Sequence, residues 1–117
     1  TNSDKVHMKK IIKEINQSFD IANKHLNQQK NDSFYAEIYK LWNNYLSNKF
    51  KIEIAELNRE KINEKLTING IQKEDIKSLT EILNYCEMAQ YSPITSKDAK
   101  LSYDQSKLLF NKFEKNA

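Results

Sequence analysis

One glycine and one proline in 117 residues leave this chain almost no choice of architecture. Tight turns, hairpins, barrels and phosphate-cradling loops all draw on those residues, the first for its left-handed backbone and the second for its fixed φ. A chain so poor in both is expected to fold as helices joined by short polar connections. The same scarcity removes glycine-rich nucleotide-binding loops of either common type. At this length the simplest organisation is one domain, residues 1–117, with one core.

The charges are balanced, 19 basic against 16 acidic, and the basic side is nearly all lysine. Arg59 is the sole arginine. A nucleic-acid binder is expected to carry a lopsided basic surface and to use the arginine fork for phosphate and guanine. Nucleic-acid binding through lysine-rich surfaces of the first and last helices therefore stands only as the alternative reading. A single cysteine forms no internal disulfide, so stability must come from apolar packing. No apolar run approaches the roughly 20 residues that span a bilayer, and no signal-type segment opens the chain. The absence of an initiator methionine suggests a piece of a longer protein.

Periodicity predicts five helices, four long and one short. Met8, Ile11, Ile12, Ile15, Phe19, Ala22 and Leu26 recur at three and four residues, giving a first helix from Asp4 to Gln29. Lys9, Lys10, Lys13 and Lys24 fall on its outer side, a solvated face or a contact for an anionic lipid surface. Asp32 or Ser33 is expected to cap a second helix, Ser33 to Lys49. Its apolar residues wrap more than half the circumference, which makes it the core helix. The alternating stretch after it has no partner strand, so it is read as an extended linker pinning Ile52, Ile54 and Leu57 inward. Asn58 caps a short third helix, Arg59 to Leu66, with Ile62 and Leu66 facing in and Gly70 following. The fourth runs from Lys73 to Tyr91, where Pro93 stops it. Thr95 or Ser96 caps the fifth, Lys97 to Lys115, whose inward side is assigned to Leu101, Tyr103, Ser106, Leu109, Phe110 and Phe113.

Each candidate for chemistry has a plain packing alternative. Cys86 lies on the apolar stripe of the fourth helix without a local lysine or histidine to lower its pKa, so it reads as a small buried hydrophobe. Ala89, also small, lets another helix approach. Glu87 reads as a solvated or capping carboxylate, with a hydrogen bond to a neighbouring helix start as the alternative. Tyr91 and Pro93 are expected to close the helix end, the tyrosine ring packed. Trp42, Tyr35, Tyr39 and Tyr45 occupy two adjacent inward faces; packing is the first reading, and a partner groove using Tyr35 or Tyr39 the second. His7 and His25 share a side of one helix but stand five turns apart, too far to share a metal, and no paired ligand motif exists. No catalytic residue, metal ligand or cofactor site is assigned. An enzyme built on Cys86 and Glu87 would require a reactive thiol.

Two segments resemble a known family. "SFYAEIYKLWNNYLSNKFKIEIAELNREKI" is similar to the Phe-Tyr-x-Glu-Ile opening, Trp-x-x-Tyr-Leu-Ser-x-Lys core, apolar linker and capped helix start of the C-terminal region of the BatD family of bacterial aerotolerance proteins. "CEMAQYSP" is similar to that family's Cys-Glu-x-Ala-Arg-Tyr-Ala-Pro. The two anchors stand in order and at matching distance, and the resemblance they support extends over nearly the whole chain. Gln90 departs from the family's arginine, which removes an ion pair with Glu87, whereas Asn58 keeps the capping chemistry of a serine or threonine. The resemblance implies a membrane-anchored protein whose cytoplasmic helical domain is this chain, at the inner membrane of a bacterium. It further implies membrane-anchored von Willebrand factor A domain proteins and a MoxR-type AAA+ ATPase as partners, and no enzymatic activity. On that view the six lysines within residues 1–30 suit a cytoplasmic flank of a membrane helix.

Overall fold

The computed structural model describes residues 2–93 and 95–115. Five α-helices, α1 Asn2–Asn27, α2 Asn31–Phe50, α3 Arg59–Ile68, α4 Lys73–Met88 and α5 Ser96–Lys115, form an all-α bundle without strands among the described residues. A single 3-10 turn, Ile54–Glu56, interrupts the link between α2 and α3.

The helix ends show how a chain with one glycine manages its turns. After α1, α2 and α3 the backbone takes a left-handed residue, Gln29 (φ 57°), Lys51 (φ 57°) and Gly70 (φ 79°). At each, the following amide reaches back to the carbonyl five residues earlier: Lys30 to His25, Ile52 to Ser47 and Ile71 to Leu66. This closure satisfies carbonyls left open at a helix end. Only the third uses glycine; the other two accept the crowding of a side chain in the left-handed region.

That turn also displaces the predicted start of α2. Lys30 occupies the cap position and its carbonyl already accepts the Phe34 amide at 2.9 Å, with no side-chain cap bond. Asp32 and Ser33 therefore sit inside the first helical turn instead of capping it. Asn58 does cap α3, accepting the Lys61 amide at 2.8 Å. Thr95 caps α5, accepting the Asp98 amide at 3.2 Å and donating to the Asp98 carboxylate at 2.7 Å, a reciprocal cap.

α1 and α2 lie antiparallel, tied by Asn44 donating to Glu14 at 3.2 Å and by His7 Nε2 against Asn48 Oδ1 at 2.8 Å. α2 touches every other helix. Phe34, Ile38, Leu41, Trp42, Tyr45 and Leu46 are fully enclosed, so this is the core helix that its wide apolar face requires. Tyr45 is the hub of a ring cluster. Phe110 meets it edge-on with centroids 5.1 Å apart, and Phe113 stacks parallel at 6.4 Å.

Three inward assignments fail. Ile54 is 78% exposed while Ile52 is buried and Leu57 packs against the core. The 3-10 turn starts at Ile54, so the two-residue period of an extended strand ends there and the next inward position comes three residues on. α4 unwinds after Met88 into single turns, Gln90 onto Glu87 and Tyr91 onto Met88, before Pro93 is reached. Ala89 takes the last inward place and Tyr91 is left 86% exposed, so its ring does not pack.

The third concerns α5, whose buried face is Ala99, Ser102, Ser106, Leu109, Phe110 and Phe113. Leu101 is 56% exposed and Tyr103 is only partly covered. The small residues face the large rings of α2: the Trp42 indole donates to Ser106 Oγ at 3.2 Å, and the Tyr35 hydroxyl lies 3.3 Å from Ser102 Oγ. Big rings on one helix take small polar partners on the other, which moves the buried stripe one residue from the greasiest choice.

Candidate functional site

Two places on the bundle stand out. The first is the junction where α4 ends beside α2 and the start of α3. Cys86 is buried at 3% exposure, against α2. Burial pushes its thiol up to about 12, opposed by nearby Arg59 and reinforced by Glu87. A thiol that holds its proton so tightly is a poor nucleophile. Alkylation by iodoacetamide at pH 8 should therefore proceed at the rate of global opening and accelerate on addition of denaturant. Fast labelling of the folded chain would reinstate a reactive cysteine.

Glu87 takes the second of its two sequence readings. Its Oε1 accepts from Arg59 Nη2 at 2.7 Å and from the Tyr39 hydroxyl at 3.1 Å, and Arg59 Nε reaches Asn84 Oδ1 at 2.9 Å. Arg59 opens α3 directly after its Asn58 cap, so the bond staples the start of α3 to the end of α4. From the sequence, Arg59 is the sole arginine and the first residue of the third helix; its bond to Glu87 was not anticipated. Its signal was available in one form: a lone arginine at a helix start, able to reach a carboxylate that Gln90 does not neutralise.

Two cavities adjoin this junction. A larger one of about 680 Å³ runs between the α1–α2 turn and the Gln90–Pro93 segment, and a smaller one of about 330 Å³ opens between Tyr39, Cys86 and Ala89. Asp32, Ala89 and Gln90 line both.

Tyr35 does not belong to a partner surface. It is buried at 2% exposure, and burial pushes its phenol up to about 12. Its ring packs against Phe34 and Tyr85, at 5.0 and 5.7 Å between centroids. Tyr39 is half-covered and its hydroxyl is committed to Glu87. Trp42 and Tyr45 are interior, as the packing reading has it; the Tyr45 hydroxyl donates to Glu114, whose carboxylate lies 3.5 Å from Lys49.

Lys9, Lys10, Lys13 and Lys24 are all exposed on α1. His7 and His25 do not meet; His7 contacts α2 through Asn48. Among the described residues no group of three His, Cys, Asp or Glu side chains is placed to hold a metal ion. No helix among them is long and apolar enough to cross a membrane.

The second place was not anticipated. With the buried stripe of α5 centred on Ser102 and Ser106, Leu101 and Leu108 point outward, 56% and 73% exposed. They stand seven residues apart, two turns along one side of α5, beside α4. Two large apolar side chains thus share one exposed line of α5.

Against this geometry stand the comparisons with known proteins: no protein-family model, curated protein or solved structure matches the chain.

Proposed function

We propose that this chain is a non-enzymatic protein-binding module, the cytoplasmic helical domain of a BatD-type membrane-anchored aerotolerance protein. The observation that supports it most is the outward pair Leu101 and Leu108, exposed on one line of α5 beside α4. The side chains singled out as candidates for chemistry are engaged in the fold. Cys86 is buried and proton-bound, Glu87 staples two helices, and Tyr35 and Tyr45 spend their hydroxyls inside the bundle.

The motif residues behind the family resemblance sit at structural joints, which suits a shared fold. Trp42 and Tyr45 centre the core, and Cys86, Glu87 and Ala89 make the junction of α2, α3 and α4. Tyr91 and Pro93, the exposed end of that motif, border the larger cavity and remain free for contact. The partners that follow from the resemblance are von Willebrand factor A domain proteins and a MoxR-type AAA+ ATPase. The exposed lysines of α1 fit a position close to the cytoplasmic face of a bacterial inner membrane, each adding about 1 kcal/mol near anionic headgroups. The nucleic-acid alternative loses support, because its single arginine is engaged by Glu87 and Asn84.

Co-purification tests the reading. The isolated domain, used as bait, is expected to recover the operon-encoded von Willebrand factor A proteins or the ATPase as the intact protein does. Recovery by the intact protein and none by the domain places binding elsewhere.

A further inference from the structure

We infer that the groove between α4 and α5 receives a basic amphipathic helix from a partner protein. The two helices run antiparallel, joined at one end by Lys112 Nζ on Asp75 Oδ1 at 2.9 Å and at the other by the Tyr85 hydroxyl bonded to Asp98. Along the groove between these ties lie two cavities of about 270 and 130 Å³, both bordered by Glu81 and Gln105. The groove floor is apolar, with Ile82 and Leu109 buried beneath.

Along the α5 rim, Leu101, Gln105 and Leu108 follow one another at four and three residues, about 10 Å from first to last at 1.5 Å per residue. A helix lying in such a groove presents its own anchors at the same spacing, so two turns of apolar contact match two turns of rim. The charges select which helix. Three carboxylates line the groove, Asp75, Glu81 and Asp98, against the one ammonium of Lys112, which Asp75 already holds. Glu81, at the middle, has no hydrogen-bond or ion-pair partner among the described residues. Lys77, one turn earlier on α4, lies outside the lining.

On a chain of net charge +3 this is a locally acidic groove. An anionic lipid surface or an acidic helix is repelled from it, while lysine or arginine flanking an apolar stripe is steered in. The inference rests on the reading of the chain as a protein-binding module and names the chemistry of what it binds.

The probe is a synthetic peptide about four helical turns long, leucine on one face and lysine on the flanks, with a counterpart carrying glutamate for every lysine. By fluorescence anisotropy the lysine peptide binds and the glutamate peptide does not. Backbone amide shifts on binding concentrate around Glu81, Gln105 and Leu108. Glu81→Lys and Leu108→Glu, both at exposed positions, each weaken binding about tenfold while leaving the helical circular dichroism intact. Equal binding of the two peptides, shifts on another face, or insensitivity to both substitutions overturns the groove. So does sedimentation showing that the domain self-associates through Leu108, because a second copy is then the occupant. If operon partners are still recovered while the peptide fails, the groove alone is wrong. If the peptide binds as described and the partners are not recovered, the broader functional reading is wrong.

Discussion

Trp42→Ala is expected to destabilise the domain by about 3–5 kcal/mol, the range for deleting a buried indole. Trp42 is fully enclosed, with Tyr45 and Phe113 both about 6.0 Å away edge-on, and its ring nitrogen is satisfied by Ser106. Alanine leaves a cavity between α2 and α5, where Tyr45, Ser106 and Phe113 lose their partner. Against a total of about 5–15 kcal/mol for a domain of this kind, that is enough to unfold a large fraction of the protein. Urea titration followed by circular dichroism measures it. Ser106→Ala provides the milder arm, leaving the indole N–H buried without an acceptor at a cost of about 1–3 kcal/mol. A Trp42→Ala loss below about 1 kcal/mol would mean that the ring is not the centre of the core.

Raising the pH should unfold the bundle well before ordinary alkaline damage. Three buried groups keep their protons inside the fold: Cys86 is pushed from 9.0 to about 12, Tyr35 from 10.0 to about 12, and Tyr45 upward by burial and by its bond to Glu114. Each binds its proton more tightly folded than unfolded. The stability held in the neutral forms is therefore complete below the unfolded values of 9.0 for the thiol and 10.0 for the phenols, and it drains away as pH climbs toward the folded values. One unit of separation corresponds to about 1.4 kcal/mol, so Cys86 and Tyr35 together withdraw several kcal/mol by pH 12. Helicity should be flat from pH 7 to 9 and fall cooperatively between about 10 and 12. Cys86→Ala, which removes the earliest titrating group, should delay the onset. A midpoint unmoved by pH up to 11 would show that these groups are not enclosed.

Most of the fold was legible because helical periodicity needs only apolar residues at three and four positions. Ile11, Ile15, Phe19, Ala22 and Leu26 occupy the buried side of α1 as their spacing indicates. Two kinds of feature were not legible. One is the phase of a mixed stripe: hydrophobicity ranks Leu101 above Ser102, but the Tyr35 and Trp42 rings of α2 leave room only for small hydroxyl-bearing residues opposite. That shift of one residue turns Leu101 outward, onto the same line as Leu108 beside α4.

The other is what side chains do across long separations. Arg59 and Glu87 meet 28 positions apart, and no local pattern announces it. Turn geometry also escaped. Gln29 and Lys51 take the left-handed conformation that a glycine would normally mark, so the start of α2 and the path after Phe50 were displaced by a few residues. The thiol at Cys86 and the indole at Trp42 needed no more than their places on apolar stripes.

The account stands on one proposition, that the domain acts by binding proteins through its outer surface. Calorimetric titration of the purified domain with each partner proposed above, the MoxR-type ATPase and the von Willebrand factor A domains, tests it most directly. Saturable binding to at least one, weakened by Leu108→Glu with the fold unchanged, is the expected result. Heat no greater than dilution with every proposed partner would contradict it.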